Sequence, residues 1–472
     1  MATRSKSPLP PTSGGQNGIS KPKTMKATFW NGRPGRMELR TVSVPKLQQE
    51  TDCIVRLTTA AICGTDLHIL HGVFGSAKLP QAVGHEGVGI VTEIGDGVET
   101  VKVGDRVIIQ DFADDGHASP NALDFQQAYF GLGEQLGDLP GLQDDTLIIL
   151  PPGSNALTDL DFVLLSDIFS TAWGSLSLSG FKPGDIVAIF GAGPVGLLVA
   201  YSAFLRGAAK IYIVDHVQAR LDKAQTIGSN VFPIDLTFTN PKKGIRGPAD
   251  QIKQHEPLGV NRVIDAIGFE CVDTNLRPDS NFVLREALSV AGFFGGIYLT
   301  GVYLSTPADK AQPSANKIGD TLKLDMFTFW GKNLTLSGGG IVPSEWIPEI
   351  LPLILSGRAK PSFVFSAEIG IEDVQEGYER FDQHLETKIA IRFPWELEEK
   401  EKGAKGKLTK QSNGSSRKRK AAASEESSEE EVHVVPRKGH ALGQRGGGKR
   451  RRMHGRLPHS HLMLTGAFGA FA

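Results

Sequence analysis

Apolar positions along this chain fall into several kinds of run, and each predicts a different element. Asp185-Ile186-Val187-Ala188-Ile189-Phe190 is short, β-branched and nearly continuous, the pattern of a strand buried on both faces. It stops at Gly191, a helical pattern runs from Pro194 to Arg206, and a second strand from Lys210 to Val214 ends in Asp215. The alternation continues with a helix from Arg220 to Ile227, strands at Val231 to Ile234 and Val260 to Ala266, a helix from Phe282 to Ala291 and a strand from Gly295 to Gly301. Strands alternating with helices predict an α/β fold on a doubly wound parallel sheet. Upstream the pattern differs. Short strands at Lys26 to Trp30, Cys53 to Thr59, Gly87 to Gly95 and Arg106 to Ile109, broken by glycine, predict a β-rich domain. Helices are expected from Thr158 to about Ser175 and around Glu345 to Ser356, with alternating apolar patterns over Met326 to Gly339 and Val364 to Phe393.

The turn between the first buried strand and its helix reads Gly191-Ala192-Gly193-Pro194-Val195-Gly196. The glycines have separate uses: a tight turn, close approach of backbone to phosphate, and close packing of helix on strand. The free N–H groups at a helix start attract a diphosphate. Asp215, at the end of the next strand, stands where a carboxylate meets adenosine ribose hydroxyls and repels a 2′-phosphate, which favours NAD over NADP. A glycine-rich turn alone is weak; strand, turn, helix, strand and acid together make dinucleotide binding the stronger reading.

Composition adds limits. Lys and Arg number 51 against 52 Asp and Glu, so the chain is nearly neutral, but 17 of those basic residues and only 6 of the acids lie from Lys400 onward. An acidic globular part and a basic tail cancel. The three cysteines, Cys53, Cys63 and Cys271, exclude a disulfide framework and fit a reducing compartment. No apolar run reaches the roughly twenty residues of a membrane span, so a soluble protein is expected.

Two polar clusters interrupt the β-rich part: Ala61-Ile62-Cys63-Gly64-Thr65-Asp66-Leu67-His68 and Val83-Gly84-His85-Glu86-Gly87. Thiolate, imidazole and carboxylate are the ligand types of catalytic zinc. Taken singly, each also fits an inert buried thiol, a satisfied histidine and a solvated acid. With VGDRV and GAGPVG in the same order, these segments resemble the zinc-dependent medium-chain alcohol dehydrogenase family over about Met25 to Pro394. LLSDIFSTAWG at Leu164 to Gly174 and VIDAIGFE at Val263 to Glu270 are similar to its glutathione-independent formaldehyde dehydrogenase subgroup.

That resemblance implies a GroES-like catalytic domain, discontinuous in sequence, and a Rossmann domain, with the active site in the cleft between them. The expected layout is disordered residues 1–24, catalytic domain 25–165, NAD-binding domain 166–325, a return to the catalytic domain over 326–395 and a disordered tail 396–472. It makes Cys63, His85 and Asp167 zinc ligands with Glu86 close behind the metal, and Thr65 and His68 the relay that carries the alcohol proton to solvent. Asp66 matches the acid that orients the ligating histidine. Thr171 resembles a residue beside the nicotinamide, and Gly191, Gly193, Pro194, Val195, Gly196, Asp215 and Arg220 complete the cofactor set. Hydride would pass from the zinc alkoxide of a small alcohol or hydrated aldehyde to NAD. Family members commonly carry a second, structural zinc on four cysteines after VGDRV; Gln110 to Gln143 contains none, so at most one zinc per chain is expected. A homo-oligomer, dimer or tetramer, is implied as well.

Two other readings remain open on sequence alone. One is a zinc-free quinone or enoyl reductase of the same fold. The other is a nuclear NAD-sensing protein whose tail binds nucleic acid: Arg417-Lys418-Arg419-Lys420 and Lys449-Arg450-Arg451-Arg452 flank an acidic serine run, Ser424 to Glu431. Cytoplasmic residence is expected, or nuclear if the basic runs act as an import signal, with nucleic acid a partner through the tail only.

Overall fold

In a computed structural model of the chain, the residues described are 24–75, 79–113, 128–129, 146–152, 154, 158–304, 307–317, 319 and 321–393. Both tails, and the cysteine-free segment apart from its first residues and 128–129, lie outside this set.

The amino-terminal part contributes β1 (Thr24–Trp30), β2 (Met37–Ser43), β3 (Cys53–Ile62), α1 (Gly64–Leu70), β4 (Gln81–Ala82), β5 (Gly87–Ile94), β6 (Arg106–Ile109), the short pair β7 (Phe112–Ala113) and β8 (Ala128–Tyr129), and β9 (Leu147–Ile149). Next come α2 (Asp159–Phe162), α3 (Ile168–Leu178), β10 (Ile186–Phe190), α4 (Pro194–Leu205), β11 (Lys210–Asp215), α5 (Gln218–Gln225), β12 (Val231–Asp235), α6 (Pro248–His255), β13 (Val260–Asp265), α7 (Phe282–Val290) and β14 (Ala291–Leu299). The chain closes with α8 (Met326–Gly331), β15 (Thr335–Gly338), α9 (Pro343–Leu355), β16 (Ala367–Gly370), α10 (Val374–Asp382) and β17 (Ile389–Arg392).

Two six-stranded sheets organise these elements. One runs β12-β11-β10-β13-β14-β15 and is parallel throughout. The other runs β16-β17-β3-β5-β6-β9 and is mostly antiparallel, so the carboxy-terminal strand β17 lies beside β3, as the discontinuous domain requires. The order of the parallel sheet reverses at β10, between β11 and β13, which leaves a crevice at the strand ends where ligands settle in such sheets.

Strand β10 shows why the sequence builds this sheet. Its side chains alternate: Val187 and Ile189 join the core packed by α3, α4 and α9, while Ala188 and Phe190 join the core packed by α6 and α7. With both faces covered, no polar position can survive in the strand, hence the continuous apolar run. Met326 to Gly339 departs from its expected alternation: it is helix α8 followed by β15, and β15 hydrogen-bonds to β14 in the parallel sheet. Fourteen residues of mixed apolar character hold both a short helix and a short strand, which period-two reading cannot separate. The helix expected over Thr158 to Ser175 is broken into α2, a turn of 3₁₀ helix and α3, with Asp167 at the break (φ −149°, ψ −84°).

The glycine turn is tight for a steric reason. Gly191 has φ +97°, and a Cβ on Gly196 would stand 1.8 Å from the Gly191 carbonyl oxygen. Gly196→Ala is therefore expected to push α4 off β10 and lower the unfolding free energy by about 3 kcal/mol or more, measured by denaturant titration; an unchanged midpoint would show that the helix can shift without cost.

Candidate functional site

Strand pairing brings the two polar clusters together. In the antiparallel β3–β5 pair, Ala60 faces Gly87, so the residues just past the end of β3 lie next to those just before β5. Cys63 follows β3 and precedes α1, whereas His85 and Glu86 precede β5. Asp167 arrives from the helix break. The result is a cluster of Cys63, His85, Glu86 and Asp167, all buried, with one potential ligand atom from each lying within 4.8 Å of the others.

Cys63 Sγ is 3.4 Å from Asp167 Oδ2, and His85 Nε2 is 3.4 Å from the same oxygen. Neither ring nitrogen of His85 has a hydrogen-bond partner of acceptable geometry, although Asp66 Oδ1 lies 3.1 Å from Nδ1. A buried, unpartnered imidazole nitrogen beside a thiol and a carboxylate suits a shared cation, which would satisfy all three at once. The chemistry of the set agrees. Burial, then the charges of Asp167 and Glu86, push the Cys63 thiol up to about 11, so the site without a cation keeps its proton. Burial opposes charge on His85, but Asp66 and the surrounding acids outweigh it and hold the imidazole well above its usual range. Burial likewise opposes charge on Asp167; the adjacent His85, then Thr171, outweigh it and hold this carboxyl below its usual range. A divalent ion would replace the protons that now balance these acids.

Glu86 has a second role. Both of its oxygens accept from Lys388 Nζ, at 2.8 and 2.5 Å, and both side chains are fully enclosed. Burial raises the Glu86 carboxyl and Lys388 opposes that rise. Lys388, just ahead of β17, was not visible as a site residue: a single lysine before an apolar strand carries no motif. Asp111, at the end of β6, is another acid sequence reasoning passed over. It is 6% exposed, its N–H donates to the Ser166 carbonyl at 3.1 Å, and its Oδ1 has no partner. Burial, then the charge of Asp167, drive its carboxyl well above the usual range.

Asp66 ties this cluster together. Its Oδ2 accepts from the Cys63 N–H at 3.0 Å and from the Tyr378 hydroxyl at 3.3 Å, while its Oδ1 faces His85. Thr65 Oγ1 stands 3.7 Å from Cys63 Sγ. His68 lies farther along α1, with Nδ1 2.5 Å from Glu270 Oε2. Glu270 closes the VIDAIGFE segment, yet nothing in its spacing to His68, 202 positions away, announces the contact. Thr171 donates to Asp167 Oδ1 at 2.8 Å, so its hydroxyl is committed to that acid.

The dinucleotide candidates gather at the other side of the crevice. A Cβ on Gly193 would meet nothing nearer than Arg220 at 4.0 Å, so open space lies over the start of α4, whereas Gly191 and Gly196 are packed against backbone. Pro194 takes the first helical position, where its missing N–H is harmless, and Val195 follows it in the first turn. Asp215 Oδ2 accepts from the Ala192 N–H at 2.7 Å, and its Oδ1 accepts from His216 and Val217. Arg220 lies 3.8 Å from Asp215 and 3.1 Å from His384 Nδ1. The acid thus braces the glycine turn from below.

Comparison with known proteins finds chains similar to this one. Residues 49–149 match the family model of the alcohol dehydrogenase GroES-like domain. The chain is 28% identical over 391 residues to an uncharacterized zinc-type alcohol dehydrogenase-like protein of Bacillus subtilis, covering 78% of this chain and 99% of that one. It is 29% identical over 391 residues to a glutathione-independent formaldehyde dehydrogenase of Pseudomonas aeruginosa, covering 76% and 95%. The solved structure of alcohol dehydrogenase TADH from Thermus sp. ATN1 superposes with a TM-score of 0.65 at 27% identity, over 78% of this chain and 99% of that one. The resemblance read from the motifs is borne out.

His71 carries a pH-dependent contribution to stability. Its Nδ1 is 3.0 Å from both Glu270 oxygens and its Nε2 is 2.7 Å from Asp382 Oδ1. Burial lowers it, but Asp382 and Glu270 outweigh burial and raise it from 6.5 to about 10. Burial raises Glu270, but His68 and His71 outweigh that and lower it from 4.5 to about 2. The histidine's contribution is complete below pH 6.5 and is lost as pH climbs to about 10; the acid's is complete above pH 4.5 and is lost as pH falls to about 2. The melting temperature of His71→Gln should accordingly fall furthest below that of the unsubstituted chain between pH 4.5 and 6.5 and approach it outside that window. A gap that stays constant with pH would contradict the pairing.

Proposed function

We propose, from the premise that this chain is a member of the zinc-type alcohol dehydrogenase family, that it oxidises a small alcohol or hydrated aldehyde with NAD, using one zinc ion held by Cys63, His85 and Asp167. The observation that carries this reading is the convergence of a buried thiol, an unpartnered imidazole nitrogen and a carboxylate from three distant segments. A zinc-free reductase of the same fold has no use for that set.

Bound zinc supplies Lewis acidity, which makes a hydroxyl proton labile near neutral pH. Bound NAD supplies the hydride acceptor. The chain's own residues do the rest. Gly193 and the start of α4 receive the diphosphate on backbone N–H groups, and Asp215 offers its carboxylate to the adenosine ribose while rejecting a 2′-phosphate. Thr65, next to Cys63, accepts the substrate proton and hands its own onward, and His68, one helical turn along the same face of α1, takes it toward solvent. Asp66 orients His85 by facing Nδ1, which leaves Nε2 for the metal. Lys388 neutralises Glu86, so that acid adds little net charge behind the ion. The sequence, with three cysteines in all, has no Cys₄ set for a second zinc.

Assembly belongs to the same proposal. Among the described residues β15 is the last strand of the parallel sheet, and beside it Phe293, Phe294, Met326, Phe327 and Trp330 are 68, 72, 56, 89 and 82% exposed. Phe294 N–H donates to the Lys332 carbonyl at 2.8 Å, which holds the two halves of this patch together. A bare sheet edge flanked by aromatic side chains suits a second copy pairing edge to edge.

Two experiments test these readings. Metal analysis should find about one zinc per chain; Asp167→Asn should cut zinc affinity by about tenfold or more and reduce NAD-dependent turnover in step. Zinc retention and rate equal to those of the unsubstituted chain would remove Asp167 from the ligand set. Phe327→Glu with Trp330→Glu should reduce the native mass to that of a single chain, whereas an unchanged oligomer would place the interface elsewhere.

A further inference from the structure

We propose that Glu270 is the positioning residue for His68, fixing the tautomer of that imidazole and the direction from which it can take a proton. The inference rests on the reading of Thr65 and His68 as the path by which the substrate proton leaves.

Glu270 belongs to the loop after β13, on the parallel sheet, whereas His68 lies in the last turn of α1 and His71 caps its C-terminal end. Thr65 and His68, three apart, are neighbours on that helix, and His71 is in turn the neighbour of His68 at the helix end. Glu270 Oε2 approaches His68 Nδ1 to 2.5 Å. An ionised carboxylate only accepts, so the shared proton is the imidazole's own N–H at Nδ1, and in the neutral ring Nε2 is left with the lone pair. Two aromatic rings confine the imidazole: the Phe269 centroid is 4.7 Å away and the Phe74 centroid 5.6 Å. Rotation to present Nε2 to the carboxylate would break the contact and disturb both rings.

Glu270 is itself held. Both of its oxygens lie 3.0 Å from His71 Nδ1, and the far nitrogen of His71 lies 2.7 Å from Asp382 Oδ1, at the end of α10. With an acid at each ring nitrogen, His71 carries both protons and serves as a fixed cation between two carboxylates. The groups facing Glu270 are therefore His68 from α1 and His71 at its C-terminal cap, with Asp382 from α10 behind His71. A swing of the carboxylate away from His68 is opposed by its contact with His71, which would lose one of its two acid partners. An acid that orients a proton-accepting imidazole through Nδ1 is the arrangement by which serine hydrolases aim theirs, reached here across the crevice between two sheets.

Nitrogen NMR of the histidine-labelled protein, with His68 identified by its loss in His68→Gln, reads the tautomer directly, alongside kcat, zinc content and NAD affinity. The unsubstituted chain is expected to show the neutral ring of His68 as the Nδ1–H form. Glu270→Ala is expected to give a tautomer mixture and a kcat lower by about tenfold or more, with zinc content and NAD affinity unchanged. Glu270→Gln, whose amide oxygen still accepts, should restore the Nδ1–H form and much of the rate. An unaltered His68 spectrum in Glu270→Ala overturns the proposal, as does a kcat within about twofold of the original; a fall in kcat without a tautomer change also overturns it, since a mere brace would do that. If the unsubstituted chain oxidises no alcohol or aldehyde with NAD, the reading of the site fails, while the NMR result still decides whether Glu270 sets His68.

Discussion

Burying several acids around one point is the constraint on which the rest of this structure depends. Asp66, Glu86, Asp111 and Asp167 are each 7% exposed or less, and all four act electrostatically on the same buried site. The effective cost of stripping water from a charge remains several kcal/mol per ion even after relaxation. The fold meets that cost group by group. Lys388, itself fully buried, is matched to Glu86; the Cys63 N–H and the Tyr378 hydroxyl are matched to one oxygen of Asp66. Asp111 Oδ1 and the ring nitrogens of His85 stay unmatched, and a cation among Cys63 Sγ, His85 Nε2 and Asp167 Oδ2 would complement that surplus of acid.

That balance depends on segments that meet only in the folded chain. Lys388 comes from the edge of β17, Tyr378 from α10 and Asp167 from a helix break, while Cys63 and His85 come from the ends of paired strands. The register of β3 against β5 is thus a chemical requirement as much as a structural one. A slip of one residue would turn every side chain of the strand to the opposite face and carry the thiol away from the imidazole. Gly87 and Gly89 help to hold the register, since a Cβ at Gly89 would stand 2.5 Å from the Arg56 carbonyl oxygen across the pair.

What could be read in advance was what is local. The βαβ unit around Gly191 was legible because turn geometry, strand burial and helix start each leave a mark within a dozen residues. Cys63, His85, Asp167 and Asp66 were named through the family resemblance that their motifs carry. Lys388, Glu270, His71, Asp382 and Tyr378 were not, because each acts on a partner more than 190 positions distant and carries no local signature. The segment Met326 to Gly339 failed for another reason. Its apolar residues serve α8 and an edge strand at once, and exposed Phe327 and Trp330 blur the contrast that periodicity needs.

The non-local residues share one property that bears on mechanism. Glu270 hangs from the parallel sheet, Asp382 from the helix that precedes β17, and both converge on α1, the helix that begins at Cys63. The parallel sheet thus touches the end of α1 directly, by a carboxylate. Glu270 is the side chain through which the loop after β13 meets both imidazoles, His68 through one oxygen and His71 through both. On the proposed reading of His68 as a proton acceptor, its orientation is therefore set from the parallel sheet and not from within its own helix.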